Sequence, residues 1–566
     1  AQTCFEEAIK FFGSDIVRYI AVDGTEFQEE RLDMLIFFAG AYAYGGSLEF
    51  KESEVVANPP SAESDFFGLS CGIPVSEENA AQVSGQLTEG GIETDSARVP
   101  QALMHFSEYY LAYSALKKDP SIKILLMDRT VSGDIAHLSW KMREHIEQGK
   151  IKLEKLKTSF GEVSKTDLEL GRMLVENPEL KLPSPRSQYL KFAAVQALIE
   201  NGPMNVEEII QKLNANADRK ERLFNDLKTH FADCFTSIPG EINSKFVLKD
   251  SVKSYWNRLI EALEIVASQI FSPPPKSHPL NLKNDQGLDA WITPDDLDFL
   301  TLITIYALLR EAWKRNLLIL GIVKDSAASE LVNTVLPVLK QAHLLEFENQ
   351  IPPFNSDKML LQTNSVVNSD LVKTPWSTFE YDVCFRTVSP VREKMLASGE
   401  CEVRGAFKNV ITSERMFVKA YFQLWSSENE TSVRSHVFLY DRPCYPQYDL
   451  LPQPELILRN YDVAEETITP TLHFSDSSPI SDLVLGILHS MGVEPIPEAI
   501  GHNYPLFLAD KKAKWLEVEA SKACVAAVEL EIARSRLDQQ VLFESKFRDY
   551  RQGVESDRRS RRRRKA

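Results

Sequence analysis

Three short runs, nearly all apolar, limit this chain more than any other feature: 16–22 (IVRYIAV), 122–127 (IKILLM) and 317–323 (LLILGIV). Strands without a polar face are covered on both sides, so these runs predict an α/β fold in which helices flank a sheet. Each run is closed by a charged residue: Asp23, Asp128 and Lys324 in turn. In an open α/β sheet such strand ends gather on one edge, where sites are usually built. A single charge there means little, since any strand leaving a core must meet a polar residue.

The remaining periodicity fills in the architecture. Segments 33–44 and 47–56 read as further strands, and 57–96, rich in Gly, Ser and Glu, as a long surface loop. A helix is expected over 99–116 with Pro100 in its first turn, and more helix to about 157. The Pro-rich stretch 178–187 marks a boundary. Beyond it, 188–268 reads as three helices and then two short strands around Pro239-Gly240, the order of a winged helix. Arg219, Lys220, Arg222 and Lys228 are a modest basic supply for a recognition helix, so a helical insertion without DNA contact is an equal reading. A stiff Pro-rich linker covers 272–287. Helices over 294–315 and 327–343 follow, with a loop to about 377 and strands at 379–388, 415–425 and 432–440. One long helix is expected from 506 to about 550. The pattern divides the chain into a core half at 1–157, an insertion at 158–287, a second core half at 288–550 and a basic tail at 551–566. The aromatic run 416–425 reads as a core strand rather than a base-stacking platform.

Composition excludes several classes. With 43% hydrophobic and 26% charged residues, the 566-residue chain is neither fibrous nor wholly disordered. Its most apolar helical stretch, 299–309, lies between Asp298 and Arg310 and is too short to span a bilayer, so no membrane partner is expected. No basic-then-apolar leader opens the chain, and Ala1 in place of Met predicts missing upstream residues. Seven scattered cysteines without a CxxC pair argue against disulfides and Cys-rich zinc sites and suit a cytoplasmic location. The net charge of −17 argues against coating nucleic acid by charge alone. The tail runs the other way, with eight basic and two acidic residues in 551–566. Such a tail suits phosphate, an acidic partner surface, or plain solvation.

Two further carboxylates sharpen the chemistry. Glu108 shares a helical face with Met104, Leu111, Ala112 and Ala115, and a carboxylate on an apolar stripe is costly to bury unless paired or bound to a metal. Asp510 follows Pro505 in the opening turns of the last helix, where the helix dipole favours an anion. Asp23, Glu108, Asp128 and Asp510 together suit a hard cation such as Mn²⁺ or Mg²⁺. A pair of such ions about 3.5–4 Å apart activates water and stabilises the leaving oxygen in phosphodiester hydrolysis. Lys324 would neutralise the charge that develops on phosphorus oxygens.

The order of these motifs resembles the NurA nuclease family. The motifs are AVDGT at 21–25, Glu108 in SEYYLA, LLMDRT at 125–130, GIVKDS at 321–326 and YPLFLADKKAKW at 504–515. The resemblance implies an RNase H-like mixed-sheet core related to Piwi domains, with flanking helices, a winged-helix-like insertion and a long C-terminal helix. It also implies a Mn²⁺-dependent DNA nuclease acting on single strands and resecting duplex ends from the 5′ side. Such enzymes commonly work as homodimers docked on a hexameric HerA-type ATPase, and this chain carries no GxxxxGK[ST] loop of its own. By the same resemblance Asp23, Glu108 and Asp128 are metal carboxylates and Lys324 an auxiliary residue. Three features depart from the pattern: Arg129-Thr130 where Gly-Ser is usual, Asp510 where His is frequent, and His502 where Tyr is frequent.

The leading expectation is therefore a metal-dependent DNA nuclease with Asp23, Glu108, Asp128 and Asp510 as ligands. A catalytically decayed relative that binds DNA or the ATPase is the alternative, motivated by Arg129 and Asp510. RNA cleavage by the same core is a third, because the fold does not choose the sugar.

Overall fold

The computed structural model describes chiefly residues 2–31, 34–61, 65–76, 98–173, 187–283, 289–336, 354–382, 417–425, 434–445, 479–492 and 500–534, apart from single positions within them. The chain is mixed α/β, and among the described residues it is built on an 11-stranded sheet. Its first strand, β1 (Ile16–Arg31), pairs antiparallel with β2 (Met34–Phe50) along its whole length. The far edge of β2 carries both β3 (Val55–Asn58) and β4 (Phe66–Ser76), each antiparallel. On the other side, β5 (Ile122–Met127) runs parallel to β1, and β6 (Leu318–Val323) runs parallel to β5. Antiparallel strands β7 (Glu380–Asp382), β8 (Phe417–Gln423) and β9 (Phe438–Pro443) extend the sheet, with β9 beside β6. All seven residues of β8 are buried, as expected of a core strand rather than a stacking platform.

Two helices sandwich the first half of the sheet. The first, α1 (Arg98–Lys118), packs on β1 and β2. The long α2 (Tyr504–Arg534) packs on β1, β2 and β4. They lie on opposite faces, because neighbouring strand residues point to opposite sides. A methyl group on Gly24 would run into Glu108 of α1, whereas the Thr25 hydroxyl donates to Glu517 of α2. Behind α1 lies the apolar helix of 294–315 (Pro294–Arg315), started by a Thr293–Asp296 capping box with Pro294 in its first turn.

Several sequence expectations change. Asp23-Gly24 does not end a strand: β1 continues eight residues past Asp23, because β2 offers it an unbroken antiparallel partner. Its parallel ladder with β5 does stop there, at Val22 opposite Met127. Segments 33–44 and 47–56 are not separate strands, since β2 runs through Gly45-Gly46. Those glycines leave room for a neighbouring backbone, with the Asp65 carbonyl 2.6 Å from the place of a Gly45 Cβ. The expected loop 57–96 contains β4, and the expected loop before 377 contains a helix, Asp357–Val367. The two strands around Pro239-Gly240 reduce to single bridges, Phe235 to Leu248 and Met204 to Phe246. Helices Ser187–Asn201, Val206–Lys212 and Lys220–His230 precede them in the expected order. The last helix begins at Tyr504, two residues before the expected 506, and its described part ends at Arg534; 535–550 and the basic tail lie outside the described residues. No helix among the described residues is long and apolar enough to cross a membrane.

Candidate active site

Where the β1–β5 ladder stops, Asp23 and Asp128 each occupy the next position of their strand, so neighbouring parallel strands present two carboxylates side by side. The Asp23 Oδ1 accepts the Gly24 N–H at 2.9 Å. Glu108 arrives from α1 with its Oε1 only 2.3 Å from where a Gly24 Cβ would stand, so the strand needs glycine at that point. It is 1% exposed on the expected apolar stripe. Asp510 approaches from α2, on the other face.

The charges of these groups register on one another. Burial and then the neighbouring Glu108 and Asp128 push the Asp23 carboxyl up to about 8, with Asp510 adding to the effect. Burial lifts Glu108 to about 7 against the opposing pull of Arg129. Asp128 is raised too, chiefly by burial, while Lys324 draws it back and Asp510 pushes it up. The four carboxylates expected from sequence thus share one neighbourhood, with the exposed Lys324 beside Asp128.

Two of the four are already engaged. The Arg129 guanidinium lies 2.6 Å from Glu108 Oε2 and 3.5 Å from Asp134. Lys514, one turn beyond Asp510 on α2, holds that carboxylate at 2.7 and 2.9 Å. Asp510 sits in the second turn of its helix, so its partner is this lysine rather than the helix start. Among the described residues, no three His, Cys, Asp or Glu side chains stand close enough to grip one ion as they are. In chemistry the set fits a hard divalent cation, being all carboxylate oxygen. In arrangement, no cation among the described residues is bonded to Asp23 or Asp128, while Glu108 and Asp510 are each held by one.

The turn carrying Arg129 is itself fixed. Helix α3 (Val131–Glu147) starts directly after it, and the buried Asp441 carboxylate of β9 accepts the Val131 and Ser132 N–H groups at 3.2 and 2.7 Å. Gly321 of β6 clears the space, since a Cβ there would stand 2.2 Å from Asp441 and 2.3 Å from the Arg129 carbonyl. Sequence reading missed Asp441, which is distant along the chain and carries no motif. Lys514 was legible as the i+4 neighbour of Asp510 and was overlooked. Arg129 stood out only as a departure from a pattern. His105 is pushed down to about 4 by burial and the nearby Arg129, so it is neutral at pH 7. His502 is stacked on Phe438, ring centroids 5.4 Å apart.

No protein-family model matches the chain, and no curated protein does. Among solved structures, it is similar to the NurA nuclease from Sulfolobus solfataricus at 10% identity and a TM-score of 0.33, covering 92% of this chain and 86% of that one. A structure of NurA with manganese aligns at 12% identity and a TM-score of 0.33, covering 92% and 89%. One of NurA bound to dAMP and manganese aligns at 13% and 0.28, covering 87% and 83%. These superpositions are loose, and the carboxylate arrangement stands on its own geometry.

The basic residues of the expected recognition helix are tied within their own module. Lys220 pairs with Glu207 at 2.6 Å, Arg222 faces Asp226 at 4.0 Å, and Lys228 lies over the Phe224 ring at 4.8 Å.

Proposed function

We propose that this chain is a metal-dependent nuclease that hydrolyses the phosphodiester backbone of DNA. The observation that carries the reading is that Asp23 feels the charges of Glu108, Asp128 and Asp510, and Asp128 that of Lys324, where the β1–β5 parallel ladder ends. Such a concentration of carboxylates is electrostatically unfavourable by itself, and a hard cation relieves it. Asp23 and Asp128 would hold that cation, Mn²⁺ or Mg²⁺, with Asp510 and Glu108 joining as Lys514 and Arg129 yield. When bound, the ion supplies a reactive water and a counter-charge for the leaving oxygen. Lys324, exposed beside Asp128, meets the negative charge of the scissile phosphate.

An RNase H-like core is part of the same reading. It is supported by a first strand antiparallel to its hairpin partner and parallel to the strand that follows α1. With it go the division into core halves 1–157 and 288–550 around an insertion at 158–287, work as a homodimer, and a HerA-type ATPase as motor in end resection. The last would supply the P-loop that this sequence lacks.

A second reading, a nuclease-type scaffold that binds without cutting, is favoured by one observation: Arg129 occupies Glu108. The deciding experiment is cleavage of labelled single-stranded DNA with Mn²⁺ by the parent and by Asp23→Asn. Loss of about 10²-fold or more in the variant is expected for removal of a metal-binding carboxylate. Equal cleavage by both would remove the assignment of Asp23. A parent that retains DNA without cutting it would decide for the scaffold.

A further inference from the structure

The buried side of α2 is set by Leu506, Ala509 and Ala513, by Leu516 against Gly40, by Glu517 on Thr25 and by Cys524 against Gly72. This face seats the opening turns of the helix on the sheet, where Leu506, Ala509 and Ala513 are buried, while Leu516 and Cys524 are only partly covered. On its outward face Trp515 is 62% exposed, and Val518, three residues on, 46%. Tryptophan usually buries most of its large surface, and one this exposed has lost that stabilisation. Four lysines lie within two turns of it. Lys511 and Lys512 stand four and three residues before it and Lys522 seven after, so all three share its side of the helix. The fourth, Lys514, precedes it directly and is the residue that holds Asp510 and feels Asp23 and Asp128. Glu519 is taken up by Lys522 at 3.3 Å, and Glu517 is turned inward to Thr25. With Lys514 and Lys522 ion-paired to Asp510 and Glu519, Lys511 and Lys512 give this face its positive charge beside the carboxylates, on a chain of net charge −17.

We propose that the outward face of α2 is the track along which a single nucleic-acid strand approaches the carboxylates, one base stacking on Trp515 and its phosphates lying against Lys511, Lys512 and, once it leaves Glu519, Lys522. Lysine ammonium groups with an aromatic plate between them match the alternation of phosphate and base in an unpaired strand. Bases within a duplex are already stacked on both sides and gain nothing from the indole, so the track selects single strands. A second copy of this chain is a poorer occupant, because a two-fold contact centred on Trp515 would bring these lysines against their own copies. The inference rests on the nuclease reading for its purpose, though not for its test. Trp515 is here a positioning residue.

The test is binding of a fluorescein-labelled oligothymidylate to the full-length chain in EDTA, followed by anisotropy, for the parent, Trp515→Phe and Trp515→Ala. Trp515→Ala should bind roughly 5- to 100-fold more weakly, the range for loss of one base–aromatic stack. Trp515→Phe should recover most of the affinity, and blunt duplex should bind all three alike. Equal affinity of parent and Trp515→Ala, or no binding by the parent, overturns the proposal. So does a change of oligomeric state in Trp515→Ala by sedimentation, which would make this face an interface between copies. Oligothymidylate binding that depends on Trp515 alongside no Mn²⁺ cleavage would sink the nuclease reading and leave the track. Cleavage that depends on Asp23 with binding indifferent to Trp515 would do the reverse.

Discussion

Replacing Arg129 with methionine keeps most of its length and removes the guanidinium that lies 2.6 Å from the buried Glu108. The consequence depends on pH in a calculable way. Glu108 titrates at about 7 in the fold against an ordinary value of 4.5. A carboxyl whose value is raised binds its proton more tightly in the native state, so stability falls as pH rises from 4.5 to 7 and then levels off. Without Arg129 the value climbs further, and the fall continues above pH 7. Each pH unit in that extension is worth about 1.4 kcal/mol. The parent still loses about 0.4 kcal/mol above pH 7, so the stability gap between parent and Arg129→Met should widen by up to about 2 kcal/mol between pH 7 and pH 9. Below pH 6 Glu108 carries its proton in both proteins, and only lost packing and the Asp134 contact separate them. Asp23, raised to about 8, faces the same guanidinium, so the titration belongs to the coupled pair. Urea unfolding at pH 6 and pH 9 measures it. A gap of the same size at both pH values would refute the claim that Arg129 is what keeps Glu108 ionisable.

Two other substitutions probe the same architecture. Gly24→Ala places a methyl 2.3 Å from Glu108 Oε1 and should lower stability by about 1–3 kcal/mol and reduce cleavage; an unchanged melting temperature would mean that Glu108 does not press on β1. Asp441→Ala strips the start of α3 of its acceptor for Val131 and Ser132, which should destabilise by about 1–2 kcal/mol in thermal unfolding and weaken cleavage by loosening the Asp128–Thr130 turn; full activity would show that the turn holds without it.

How much of this was legible in the sequence follows from which forces acted locally. The largely buried strands β5 and β6 and the helix α1 were readable because their apolar pattern is dictated by what covers them, residue by residue. Strand β4 was not, since Gly68, Gly72 and Pro74 break the pattern and only the long edge of β2 makes it a strand. The extension of β1 past Asp23-Gly24 failed for the same reason: the turn signal was overruled by sixteen consecutive pairings with β2. At the site, residue types and their order pointed to four carboxylates. Their neutralisation by Arg129 and Lys514 and the support from Asp441 arise from tertiary contacts that leave no local trace.

A cation bound at this site must displace protons from the crowded carboxyl groups. Mn²⁺ titration by calorimetry at pH 7, in two buffers of different ionisation enthalpy, measures both binding and proton release. With Asp23 near 8 and Glu108 near 7, metal binding at pH 7 should expel about one proton or more per ion, shrinking toward zero at pH 9, and Asp23→Asn should abolish most of the binding. Binding without proton release at pH 7, or undiminished in Asp23→Asn, would contradict a cation held by these side chains.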